Sequence, residues 1–243
     1  GYPCEVGSGK GEKMAERATP VDRRLCDADA ADKRDVTITP ILGTPWISAV
    51  MVQVHWALPV RFDDATQKRS EEEDWVTVDH YLTLRSGSKT VEIETWMNNT
   101  CEDHRLRLCV PTGLTQKKVW AGGAFDVLAR PTEWPHDADW EQPQVPTQHF
   151  SQFVAMQDRL GGIAVLAPGS NEYETAPTDG SEGTDIRITM LRATGWLSRD
   201  GFASRRNRAG PCYPAPGAQC KGQTSMRWGL LPFEGRWPEA GVH

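Results

Sequence analysis

No part of this sequence holds the 3.6-residue hydrophobic period of a helix bundle, and no apolar run approaches the ~18 residues of a membrane-spanning helix. A helical bundle and a membrane partner are therefore not expected. Positive charge is short as well: 27 Lys and Arg stand against 33 Asp and Glu, a net charge of −6. That balance offers no electrostatic footprint for nucleic acid. Six cysteines in 243 residues are too sparse for a disulfide scaffold, and no zinc-knuckle spacing occurs. Reduced thiols are expected, with Cys212 and Cys220, which share one Pro/Gly-rich loop, as the pair that an oxidising compartment would join. The Gly-rich run at positions 7–11 lacks the full phosphate-loop form and has no strand before it. The sequence carries no recognisable signal peptide and starts at Gly1 without methionine, so a soluble fragment is the expectation.

What the sequence does have is alternation. From Trp75 to Arg85, Val76, Val78, His80, Leu82 and Leu84 share one face while Thr77, Asp79, Tyr81 and Thr83 share the other. After Ser86-Gly87-Ser88 the period of two resumes with Val91, Ile93, Thr95 and Met97, which predicts a β-hairpin. Leu106, Leu108 and Val110 then alternate with Arg105, Arg107 and Cys109, and a third strand is expected to continue the same sheet. Upstream, Val50, Val52, Val54, Trp56 and Leu58 face one way until Pro59 ends the strand. Further strands are predicted over 118–128, 148–156, 162–166, 171–175 and 186–190, and again from about Ser225. The fold class is all-β, with residues 1–46 as a linker leading into a β domain over 47–243.

Three groups of residues invite a functional reading. Asp103, Arg105 and Arg107 are expected to serve structure, the two guanidinium groups lying on one strand face where Asp103, Glu92 and Glu94 can answer them. Between the strands at 118–128 and 148–156, Glu133, Trp134, His136, Asp137, Asp139, Trp140 and Glu141 crowd among four prolines, which predicts a long loop. Two readings of that loop stand side by side: sugar recognition by Trp134 and Trp140, or an edge loop held by two buried tryptophans. Its adjacent His and Asp residues define no coordination geometry, so no metal is assigned. Finally, Ser198 to Gly222 carries five cations and one acid, a local charge of +4 inside a chain of −6.

Several local patterns coincide, in order, with one family. Gly87-Ser88-Lys89-Thr90-Val91-Glu92-Ile93, Asn98-Asn99, Asp103-His104-Arg105-Leu106-Arg107-Leu108 and Pro111-Thr112 resemble the β region of bacterial α-mannosidases of glycoside hydrolase family 38. Asp103-His104-Arg105-Leu106-Arg107 is the most specific piece. Asn171-Glu172-Tyr173-Glu174, then Leu191 to Arg199, Ala209-Gly210-Pro211, Pro216-Gly217-Ala218-Gln219-Cys220 and Leu230-Leu231-Pro232 are similar to the strands and loops that follow. The resemblance runs from about Val50 to Phe233, the C-terminal half of such enzymes.

For the fold, the resemblance implies a large antiparallel β-sandwich of the galactose-mutarotase-like kind. It also implies a partner, the α/β catalytic domain of the same polypeptide, which holds the zinc ion and the aspartate nucleophile; no stretch here matches that domain. In such enzymes a basic residue of the C-terminal region reaches the mannose-containing glycan, and Arg206 and Arg208 are the matching candidates. The expectation is therefore a partial retaining α-mannosidase, cytoplasmic and bacterial, with no catalytic residue and no metal of its own. A stand-alone carbohydrate-binding or scaffold module whose groove is the Trp134 and Trp140 loop is the alternative.

Overall fold

The computed structural model describes residues 34–63, 66, 68–134, 145–198 and 210–242. In chain order the first nine strands are β1 (Arg34–Gly43), β2 (Ile47–Pro59), β3 (Phe62–Asp63), β4 (Lys68–Arg69), β5 (Glu73–Arg85), β6 (Val91–Asn99), β7 (Arg105–Pro111), β8 (Lys118–Gly122) and β9 (Val127–Pro131). The remaining six are β10 (Gln148–His149), β11 (Phe153–Gln157), β12 (Gly161–Leu166), β13 (Glu172–Pro177), β14 (Thr184–Arg192) and β15 (Gly222–Glu234). A nine-stranded sheet runs in the order β1-β2-β5-β6-β15-β12-β11-β8-β9 and is faced by a four-stranded sheet, β10-β13-β14-β7. All pairings are antiparallel, so the expected all-β sandwich is what forms.

Alternation sets which face each strand buries. On β5 and β6 the residues Val76, Val78, Ile93 and Met97 are buried, while Trp75, Tyr81 and Trp96 point outward and are exposed. Gly87, at φ +82°, supplies the left-handed position that closes the β5–β6 turn. Between the sheets, Ile93, Val119, Val154, Met156, Val165 and Trp228 meet Val110, Tyr173, Ile186 and Ile188 from the small sheet. A polar triad lies in this core: Thr95 Oγ1 accepts the Trp228 indole N–H at 2.8 Å and lies 2.7 Å from His80 Nδ1. A second cluster joins Leu58, Val76, Val78 and Met97 to Leu106 and Leu191. A third lies on the outer face of the large sheet, where Trp237 and Val242 cover Phe153, Ala155, Leu231 and Phe233.

Several sequence expectations need correction. The strand beginning at Arg105 does not continue the β5–β6 sheet but pairs with β14 in the opposite layer. The run 118–128 is two strands, because the chain turns at Gly122-Gly123, where the Gly123 N–H donates to the Asp126 carbonyl at 2.6 Å. The run 148–156 is also two: β10 belongs to the small sheet and β11 to the large one, with Gln152 at φ +71° between them. The sheet begins before residue 47, since β1 pairs with β2 along nearly its whole length. Pro40 is tolerated there because β1 is an edge strand and its ladder is irregular between Pro40 and Leu42.

Candidate functional site

The Asp-His-Arg-Leu-Arg stretch lies where the chain leaves the large sheet after β6 and enters the small one at β7. Asp103 makes that turn at φ +54°, a left-handed conformation that aspartate tolerates better than most residues. Its backbone N–H donates to Gln219 Oε1 at 2.9 Å, and Gln219 Nε2 donates back to Asp103 Oδ1 at 2.7 Å. The Phe62 N–H donates to Asp103 Oδ2 at 3.3 Å. Beneath this pair, Arg69 donates to the carbonyls of Glu102, Asp103 and Pro59 at 3.1, 2.7 and 2.6 Å. Asn99 Nδ2 donates to the carbonyls of Gln219 and Cys220 at 3.0 and 3.2 Å. His104 is fully buried beside them, and burial lowers its pKa from 6.5 to about 4.

This node clamps both stems of the basic loop. On the rising stem the Ala193 N–H donates to the His104 carbonyl at 2.8 Å, and the Thr194 N–H to the Ala218 carbonyl at 3.0 Å. Across the stems the Ala215 N–H donates to the Gly195 carbonyl at 2.7 Å, and Trp196 forms an antiparallel bridge with Pro214. A Cβ on Gly195 would stand 3.1 Å from Gln219 Nε2, so glycine leaves the room that the glutamine occupies. Arg206 and Arg208, the sequence candidates for sugar contact, lie outside the described residues, as does Trp140. Trp134 is described and half-buried, just past the point where Thr132 Oγ1 donates to the Gln116 carbonyl at 2.8 Å.

Arg105 and Arg107 project from β7 on the side away from the core, and their partners are not the hairpin acids. Arg105 NH1 lies 3.5 Å from Glu172, its NH2 lies 3.1 Å from Glu174, and Arg107 NH1 lies 3.0 Å from the same Glu174 oxygen. Arg192 adds a further contact to Glu172 at 3.2 Å, and Thr189 Oγ1 donates to that residue at 2.7 Å. Glu92 and Glu94 face Arg85 and Arg227 instead, because they belong to the other sheet. Glu172, Glu174 and Gln219 all fall within motifs visible in the sequence, but nothing local marks them as partners of residues 67 to 116 positions away. Cys101, Cys109, Cys212 and Cys220 are not disulfide-bonded. Among the described residues no group of three or more His, Cys, Asp or Glu side chains could hold a metal ion.

Fold and site together define a class: an antiparallel two-sheet sandwich in which a buried polar node ties a basic loop to the seam between the sheets. Residues 48–201 match the family model of the glycosyl hydrolases family 38 C-terminal domain. The chain belongs to that family. The matched segment contains Asp103, Arg105, Arg107, Trp134 and Trp140 and ends before Arg206 and Arg208. The chain is 27% identical over 180 residues to a "Putative mannosylglycerate hydrolase" of Halalkalibacterium halodurans, covering 74% of this chain and 18% of that protein. It superposes on the crystal structure of an alpha-mannosidase from Enterococcus faecalis V583 with a TM-score of 0.70 and 25% identity, covering 87% of this chain and 24% of that one. A second family 38 structure from Enterococcus faecalis gives a TM-score of 0.69 at 24% identity, with 87% and 25% covered, and supports the fold. The chain thus spans about a quarter or less of the length of these relatives.

Proposed function

We propose that this chain is the C-terminal β-sandwich portion of an α-mannoside-hydrolysing enzyme, packing on a catalytic portion and helping to shape its sugar cleft. The observation that carries this reading is the family match over residues 48–201, in a chain that spans only 18–25% of its relatives' length. An uncovered apolar flank supports the packing. On β1, Val36 and Ile38 sit on the same face as the core yet are exposed, Ile38 by 66%. At the end of the β1–β2 hairpin Trp46 is 75% exposed, and Leu84 of β5 is exposed close by. An exposed apolar patch of this kind marks an interface.

In this reading the zinc ion and the nucleophile belong to the catalytic portion, and no chemical step runs through the residues described here. Retaining glycoside hydrolysis needs two carboxyl groups about 5–5.5 Å apart across the scissile bond. The task left to this chain is positioning: the Asp103–Gln219 node holds the stems of the loop from which Arg206 or Arg208 reaches the glycan. The fork of donors on a guanidinium suits vicinal hydroxyls. We place the enzyme in the bacterial cytoplasm, a setting in which its thiols stay reduced.

The test is an assay of the purified chain with an aryl α-mannoside and with mannosylglycerate, each with zinc, alone and then with a family 38 catalytic portion added. No turnover alone, and capture of the catalytic portion by the wild-type chain but not by an Ile38→Lys/Leu84→Lys variant, is the expected result. Turnover by the chain alone, abolished by a single carboxylate substitution, would overturn the reading.

A further inference from the structure

The outer face of the large sheet is divided in two. Over β15, β12 and β11 the C-terminal residues Trp237 and Val242 cover it, but over β5 and β6 it is open and concave, with a depression of about 450 Å³. The side chains that line this depression follow from the register. Trp96 stands directly opposite Asp79, and Glu94 directly opposite Tyr81. The two aromatic rings therefore occupy one diagonal of a four-residue square and the two carboxylates the other, with diagonal neighbours about 7–8 Å apart. Asn98 and Gln223, also directly opposite each other, close one side of the square.

The square has the composition of a recognition surface. Trp96 is 45% exposed and Tyr81 37%, both on a face where small or charged side chains would serve solubility equally well. Among the described residues, nothing bonds to the Trp96 indole N–H, the Tyr81 hydroxyl, or the side-chain amides of Asn98 and Gln223. Asp79 is oriented by Gln53, whose Nε2 donates to Oδ1 at 3.2 Å, and the carboxylate retains its second oxygen. Glu94 lies 3.4 Å from the exposed Arg227. Asp79 is oriented, while the donors and acceptors around it are free.

We propose that this depression on the outer face of β5 and β6 is a glycan-binding surface and that it takes a neutral hexopyranose oligosaccharide. The apolar C–H face of a pyranose ring stacks on an exposed indole or phenol, and its equatorial hydroxyls meet carboxylate acceptors and amide donors at the ring edge. Flat aromatic faces flanked by a few oriented polar groups supply both needs at once. The diagonal spacing of Trp96 and Tyr81 is on the scale of one sugar ring to the next, so a chain of sugars binds better than a monosaccharide. The surface lies on strands rather than loops, which fixes the rings before the ligand arrives.

The experiment uses the 243-residue chain, labelled with ¹⁵N, and follows its tryptophan indole resonances during titration with mannose, manno-oligosaccharides and gluco-oligosaccharides. Trp96→Phe identifies the Trp96 signal. The expected result is a saturable shift of that signal with oligosaccharide, and a loss of affinity of roughly tenfold or more in Trp96→Ala and in Tyr81→Ala, with unchanged thermal unfolding midpoints. Should either alanine variant fail to fold, Gln223→Ala and Asp79→Asn replace it, with the same weakening expected. No shift with any sugar, or binding that persists unchanged in these variants, overturns the proposal. Either outcome is independent of the docking reading, which rests on the flank at β1 and is tested by capture of a catalytic portion.

Discussion

Asp103 and Gln219, 116 positions apart, exchange two hydrogen bonds: the aspartate N–H to the amide oxygen at 2.9 Å, and the amide N–H to the carboxylate at 2.7 Å. Each residue thus satisfies the other where the chain must cross from one sheet to the next. A carboxylate that receives neutral donors in a half-buried site makes a stronger bond than two neutral groups would. Removing one partner leaves the other desolvated without its bond.

Gln219→Ala is accordingly expected to lower stability by about 2 kcal/mol, and Asp103→Ala by about 3 kcal/mol because the bond from Phe62 goes as well. The double variant should cost clearly less than the sum, since both remove one shared interaction. Urea unfolding of the four proteins checks this; strict additivity would show that the pair does not act as a unit.

The arginines of β7 make a contrasting case. Arg105 and Glu174 have side chains only 4% and 12% exposed, whereas Arg85 and Glu92 are 57% and 55% exposed. Breaking a largely buried pair on one side costs up to about 3–5 kcal/mol when the remaining charge is left uncompensated, and less here because Glu174 keeps Arg107, while an exposed pair contributes about 0–1 kcal/mol. Arg105→Met should therefore unfold at lower denaturant than Arg85→Met. If the two variants melt together, the contacts that remain, Arg107 on Glu174 and Arg192 and Thr189 on Glu172, are enough to hold those carboxylates.

How much of this was legible before the fold was known depends on range. Strand content followed from local alternation: Val76, Val78, Ile93 and Met97 are buried as their period requires. Sheet membership did not follow, because β7 has the same pattern in either layer; the chain crosses between layers at the left-handed Asp103, and β7 then pairs with β14. Arg105 and Arg107 could be recognised as needing acids, yet Glu172 and Glu174 could not be told from Glu92 and Glu94 without knowing that β13 shares their sheet. The split of 118–128 was a different matter, since Gly122-Gly123 is an ordinary turn signal inside an apolar run. Gln219 sits in a recognisable motif, yet nothing local marks it as the partner of Asp103, 116 positions away.

His104 makes stability depend on pH. Burial holds its folded pKa at about 4 against an ordinary 6.5, so between those values the unfolded chain binds a proton that the folded chain refuses. Its contribution is complete above pH 6.5 and is lost as pH falls toward 4, an effect on the order of 3 kcal/mol. His80, also lowered by burial, acts in the same direction. Replacing His104 with leucine should flatten the slope of unfolding free energy between pH 6.5 and 4 by close to one proton, leaving the part due to His80. An unchanged slope would mean that the ring already reaches solvent in the native state.

The flank at β1 gives the last prediction. Val36, Ile38, Trp46 and Leu84 are apolar and exposed, and they lie along or beside the edge strand of the large sheet, whose outer hydrogen-bonding groups have no strand partner among the described residues. An apolar face next to an unpaired edge is a template for association, so the isolated chain should self-associate as its concentration rises. Lysine at position 38 together with lysine at position 84 places charge on that face without disturbing a buried contact. Substitutions at such exposed sites shift stability by about 0.5 kcal/mol or less, so the thermal midpoint should hold while the association is lost. Sedimentation velocity over a concentration series separates the cases. A wild-type chain that stays monomeric throughout, with the flank as exposed as it is here, would show that apolar area alone does not make this surface adhesive.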